Sequence, residues 1–217
     1  MAPVGLVPAA GRAERLQPLP CSKEVYPVGG RPVMDYLADR LLAAECREVR
    51  VVTRPDKTDV IEHAEELGAE IVLGEPATLA ASIALGLRGL DASDVVLLGL
   101  PDTLWKPIDG FVRLLSQLGD RSDVVLGLFE SDEPERSDVV VLDGRGLVRR
   151  VHVKEADPPG NLVWGCFVAR VGALAGLERS PSPGQFFEER KVDAVVLPGH
   201  MLDIGTPEAL ATAEALT

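Results

Sequence analysis

Arg15 and Lys23 follow the small residues Ala9, Ala10 and Gly11 at the end of the apolar run VGLV. Small residues let backbone N–H groups approach phosphate oxygens closely, an arginine grips a phosphate in a fork, and a lysine acts on it as a point charge. With one glycine, the loop PAAGRAERLQPLPCSK also reads as a surface connection whose cations are solvated. Asp102 follows the strongly apolar run DVVLLGLP, and Asp203 stands in MLDIGTPEAL, where Thr206 caps the helix announced by Pro207 and Glu208. Asp102 also reads as a cap for the segment after it, whereas Asp203 is free of that task. Two carboxylates completed by triphosphate oxygens suit Mg2+, which takes oxygen ligands and seldom sits in an all-protein cage.

Such groups work together only if strand ends carry them to one place. Short β-branched runs at 4–9, 48–54, 70–74, 94–102 and 123–129 alternate with helical patterns at 33–44, 58–67, 78–87 and 111–118. Pro32 opens the first of these helices and Gly68 closes the second. That alternation predicts an α/β fold with parallel crossovers, and ligands in such folds bind outside the carboxyl ends of the strands. The remainder changes character. Residues 138–153 read as two strands around Asp143-Gly144, and 161–169 and 192–198 as strands. Helices are expected near 184–190 and over 206–216, with SPSPG at 180–184 the segment expected to be mobile. The fold class is therefore a Rossmann-like mixed, mainly parallel sheet flanked by helices. We expect a single domain over 1–217, with a nucleotide-binding half at 1–130 and a half for a second substrate at 131–217.

Composition narrows the partners. Thirty-four acidic against 22 basic residues give a net charge of −12, which argues against nucleic acid, whose phosphates need a basic face. A few local cations still suffice for a small phosphorylated ligand. Lysine occurs only at 23, 57, 106, 154 and 191, so each is less readily dismissed as surface filler. No apolar run approaches the roughly 20 residues of a membrane span, and the N-terminus has no secretory pattern. Cys21, Cys46 and Cys166 are widely spaced and make no metal or disulfide pattern, which together with the N-terminus favours the cytoplasm. His63, His152 and His200 show no zinc spacing, and no serine sits in a nucleophile elbow. Whether the chain forms a homo-oligomer is left open.

Taken in order, the segments AAGRAERLQPLPCSKEVYPVGGRPVMDYL, LPDT, VHVKEADPPGNLVWGCFV and LDIGTPEAL resemble the sugar-1-phosphate nucleotidylyltransferases over nearly the whole chain. The resemblance implies transfer of a nucleotidyl group from a nucleoside triphosphate, dTTP or UTP, to a sugar 1-phosphate with release of pyrophosphate. It implies catalytic roles for Arg15, Lys23 and Asp102, and a Mg2+ held by Asp102 and Asp203. Nucleotide contacts are implied at Ala9, Ala10, Gly11, Arg12, Glu75, Thr78 and Ala80, and sugar-phosphate contacts at Lys154, Asn161 and Gly165. Departures are concentrated in the loop, where a glycine and a threonine of the family become Ala13 and Glu14, placing a carboxylate beside the expected triphosphate. Near the sugar-phosphate lysine, Val153 and Glu155 replace an acidic residue and a proline. An alditol phosphate or phosphorylated amino-alcohol acceptor, and a non-catalytic binding role, are the competing readings.

Overall fold

The computed structural model describes residues 2–216, with side chains through Ala213. The first half runs β1 (Val4–Pro8), β2 (Pro27–Val28), β3 (Arg31–Pro32), α1 (Val33–Ala43), β4 (Glu48–Thr53), α2 (Thr58–Glu66) and β5 (Glu70–Leu73). It continues with α3 (Leu79–Gly86), β6 (Val95–Gly99), β7 (Thr103–Leu104) and α4 (Gly110–Leu115). The second half holds β8 (Val124–Glu130), β9 (Asp138–Leu142), β10 (Val148–Val153), β11 (Leu162–Arg170), α5 (Pro183–Glu188), β12 (Asp193–His200), β13 (Leu202–Asp203) and α6 (Pro207–Leu216).

In the main sheet β5, β4, β1 and β6 lie side by side and parallel. β11 then enters antiparallel between β6 and β8, and β12 flanks β8 in parallel. The hairpin of β9 and β10 attaches at the start of β11, where Val163 faces Val139. Among the described strands of this sheet only β10 and β11 run against the rest. The fold is thus the mixed, mainly parallel, helix-flanked sheet expected from the sequence. One neighbour differs from the simple succession of crossovers: β8 points the same way as β6 but is separated from it by β11. The nine-residue, almost wholly buried β11 can occupy that place because both of its edges find hydrogen-bond partners.

Successive side chains of the central strands go to opposite faces, as the pleat requires. Leu6, Val52 and Leu98 pack on one face against Ile83 of α3 and Phe187 of α5. Val7, Val51 and Leu97 pack on the other against Leu37 and Leu41 of α1, Val60 of α2 and Phe111 of α4. The segment 180–184 is not loose as expected. Ser182 caps α5 by accepting from the Gln185 N–H, and Pro183 and Gly184 are buried in its first turn.

Candidate functional site

The crevice lies beyond the carboxyl ends of β1 and β6, from which the chain goes on to β4 on one side of the pair and to β8 on the other. After β1 the backbone turns at Ala13, whose φ of 51° and ψ of 36° lie in the left-handed region that glycine favours. The loop therefore keeps a glycine-like turn on an alanine, at a cost of about 1–2 kcal/mol. A short 3-10 turn follows, Glu14–Leu16, which buries Leu16 and leaves Arg15 exposed.

Asp102 and Asp203 are 101 positions apart in sequence, and a two-strand ribbon brings them together. β13 pairs antiparallel with β7, so that Asp203 faces Thr103, and the Ile204 N–H donates to the Asp102 carbonyl at 3.0 Å. The Thr103 hydroxyl donates to the Leu100 carbonyl at 2.9 Å and fixes the turn carrying Asp102. Asp203 is reached by water along the crevice, yet its walls and the like charge of Asp102 raise its pKa to about 6, against the opposing pull of Lys23 and Arg15. The Lys23 ammonium bonds directly to Asp102 Oδ2. Burial pulls Lys23 down, but Asp102, with Glu24 and Asp203, outweighs it and holds the lysine above its ordinary value. Arg15 reaches the same point: a Cβ on Gly205 would lie 3.0 Å from Asp203 Oδ1 and 3.2 Å from an Arg15 guanidinium nitrogen.

Helix α2 holds Lys23 from both sides. Asp59 accepts from the Ser22 N–H at 2.6 Å and the Ser22 hydroxyl at 2.8 Å. Burial pushes the Asp59 carboxyl up, but these bonds win and hold it below its usual range. Lys57, at the N-cap of α2, donates to Glu24 Oε2 and to the carbonyls of Ala9 at 2.8 Å and Gly11 at 3.1 Å. Glu24 is 1% exposed, and burial raises its pKa although Lys57 and Lys23 pull the other way. A cation is unfavourable at a helix N-terminus; three acceptors keep Lys57 there. Nothing in the sequence spacing singled out this role, because two of its acceptors are backbone carbonyls.

A cavity of about 590 Å3 opens over the loop, lined among others by Ala10, Gly11, Arg12, Glu14, Arg15, Lys23, Arg54 and Glu75. Glu75, expected as a nucleotide contact, is held by Arg54 at 2.7 Å, a buried cation that the sequence reading did not single out. A second cavity of about 260 Å3 lies on the other side of Arg15 and is walled by Lys154, Asp138, Trp164, Met201, Thr103 and Asp203. The two cavities meet at Arg15, beside Asp203.

Several expected contacts lie elsewhere or are already engaged. The Ala9 N–H donates to the Val52 carbonyl at 2.7 Å and its own carbonyl accepts from Lys57, so Ala10 and Gly11 are the backbone positions left to meet a phosphate. The Thr78 hydroxyl caps α3 by accepting from the Ala81 N–H, and Ala80 is fully buried in the core. Asn161 is exposed and lines neither cavity, while its carbonyl accepts from the Ser131 N–H. Gly165 lies behind Met201, whose sulfur a Cβ would approach to 2.2 Å, so its lack of a side chain serves packing. Lys154 faces the second cavity from a left-handed backbone, φ 49°.

Among the described residues no three histidine, cysteine, aspartate or glutamate side chains cluster as a metal cage. Two like-charged carboxylates at a crevice, with Asp203 raised by burial and then by the charge of Asp102, fit a cation that takes its remaining ligands from phosphate and water. Among the described residues no helix is long and apolar enough to cross a membrane.

Residues 5–196 match the family of MobA-like NTP transferase domains. The UTP–glucose-1-phosphate uridylyltransferase AglF of Haloferax volcanii is 28% identical over 96% of this chain and 94% of its own. The low-salt glycan biosynthesis nucleotidyltransferase Agl11 of the same organism is 25% identical over 98% of this chain, which spans 65% of that protein's length. A solved structure of a Bacillus anthracis protein assigned as a glucose-1-phosphate thymidylyltransferase, in complex with sucrose, superposes with a TM-score of 0.82. It shares 18% identity over 99% of this chain and 94% of that one.

Proposed function

We propose, for a chain that belongs to the MobA-like NTP transferase family, that its nucleotidyltransferase chemistry moves a nucleotidyl group from dTTP or UTP to a sugar 1-phosphate. An oxygen of the sugar phosphate attacks the α-phosphorus, a new phosphorus–oxygen bond forms, and the bond to the β-phosphate breaks to expel pyrophosphate. The observation that carries this reading is the meeting of two cavities at Arg15, beside Asp102, Asp203 and Lys23. Each cavity holds one phosphorylated reactant, and their phosphates converge where the charges are.

The protein's task is positioning and charge stabilisation, since phosphoryl transfer needs little covalent help. Ala10 and Gly11 let the triphosphate approach the backbone, Lys23 steadies the α-phosphate, and Arg15 receives the departing pyrophosphate. Lys154 holds the phosphate of the acceptor in the smaller cavity. Asp102 and Asp203 would hold Mg2+, whose chemistry is to neutralise charge on the phosphates and fix their geometry. Substrates of this kind, together with three cysteines that form no disulfide, support a cytoplasmic location.

The test is a panel of nucleoside triphosphates against sugar 1-phosphates, with an alditol phosphate and a phosphorylated amino alcohol as further acceptors, read by pyrophosphate release. At least one sugar 1-phosphate should turn over with dTTP or UTP. Turnover confined to non-sugar acceptors, or binding without turnover by a folded protein, overturns the reading.

A further inference from the structure

We propose that Asp138 is a specificity-determining residue of the acceptor cavity, taking a hydrogen bond from a hydroxyl of the sugar whose phosphate Lys154 holds. The inference rests on the reading of the smaller cavity as the acceptor site. Asp138 opens β9 and stands opposite Val153 of β10, so this pairing sets Asp138 and Lys154 side by side at one end of the hairpin. The Lys154 N–H donates to the carbonyl of Ser137, which ties the two ends together. Both side chains line the cavity, with Trp164, Leu100, Val153 and Met201 as its apolar walls.

The surroundings are shaped to the carboxylate. Trp164 Nε1 donates to Asp138 Oδ2 at 3.2 Å, and a Cβ on Gly184 would fall 2.6 Å from that same oxygen. One neighbour thus orients the group, and another gives up its side chain to make room for it. Yet Asp138 has no cation within ion-pair distance among the described residues, and burial raises its pKa against the pull of Trp164 and Lys154. A half-buried carboxylate held by one neutral donor loses more hydration than that bond returns, so packing alone does not account for it. A ligand that supplies a second donor does. A sugar fits both parts of the cavity: its C–H face meets the apolar walls, and a ring hydroxyl meets the free acceptor.

The experiment measures kcat/KM for the sugar 1-phosphate that the wild type uses best and for each of its monodeoxy analogues. The proteins are wild type, Asp138→Ala, Asp138→Asn and Trp164→Phe, with circular dichroism to establish that each is folded. One deoxy analogue should be about 10- to 100-fold poorer than the parent for the wild type, the range expected for a hydrogen bond to a charged group. Asp138→Ala should lower the parent to the level of that analogue and abolish the difference between them. Asp138→Asn, which keeps an acceptor, should retain part of it. Trp164→Phe, which removes the orienting N–H but keeps a ring, should shrink it, with the KM for the nucleoside triphosphate unchanged in all three. Wild-type discrimination persisting in Asp138→Ala overturns the assignment of Asp138 alone. A wild type that turns over no sugar 1-phosphate overturns the functional reading and this inference with it.

Discussion

Replacing Lys57 by methionine tests how the site is held together. Methionine keeps most of the length and apolar stem of lysine and removes the ammonium. Glu24, 1% exposed, then loses the cation bonded to its Oε2, while its Oε1 already lacks a hydrogen-bond partner among the described residues. Breaking a buried ion pair by deleting one partner costs about 3–5 kcal/mol. The carbonyls of Ala9 and Gly11 lose the same donor, and at the buried Ala9 the loss is not made good by water. A loss near the upper end of that range is therefore expected, a large share of the about 5–15 kcal/mol that holds a domain folded. The penalty depends on pH in a defined direction. Burial already raises Glu24, and without Lys57 it rises further, so between its unfolded and folded pKa values the native state binds more protons than the unfolded chain. Stability of the variant then falls as pH rises through that window and is least impaired on its acid side. Urea unfolding at about pH 5 and about pH 8 measures both quantities. The double variant Lys57→Met with Glu24→Met removes both charges and should recover most of the loss. A Lys57→Met protein within about 1 kcal/mol of wild type at the higher pH, or a double variant no better than the single one, would refute the reasoning.

Three further outcomes are expected. Asp102→Asn and Asp203→Asn should each lower pyrophosphate release at least about a hundredfold with the circular dichroism unchanged, and chelation of Mg2+ should stop the wild type until the metal is returned. Because Asp203 is raised to about 6, it is protonated below that pH, so Mg2+ affinity measured by calorimetry should fall about tenfold per pH unit on the acid side and level off above it. Ala13→Val puts a β-branched residue at φ 51° and should cost more than the about 1–2 kcal/mol the alanine bears, with the KM for nucleoside triphosphate raised. Ala13→Gly, which relieves that strain against an entropic cost of about 0.4–1 kcal/mol, should leave KM close to wild type and stability equal to it or slightly higher.

Why some of this was legible in the sequence and some was not follows from what each feature is made of. Strands such as Val95–Gly99 and helices such as Thr58–Glu66 are written in side-chain periodicity, so their places and nearly their ends could be read. Periodicity carries no direction, however, and the insertion of β11 between β6 and β8 depends on which edges are free to pair. The same division runs through the site. Arg15, Lys23, Asp102 and Asp203 announce themselves because the roles proposed for them belong to their side chains. Lys57 does not, since it holds the loop by the carbonyls of Ala9 and Gly11, which every residue type possesses. Ala13 misleads in the opposite sense: its side chain says that a glycine is missing, but its backbone adopts the glycine conformation. Glu14 lines the larger cavity without an ion partner among the described residues, so its charge must be accommodated there or turned outward. What would suit the loop to the proposed triphosphate is thus the backbone path, anchored below by α2 and turned at Ala13, with the cations placed along it; a motif that counts glycines tests only one way of obtaining that path.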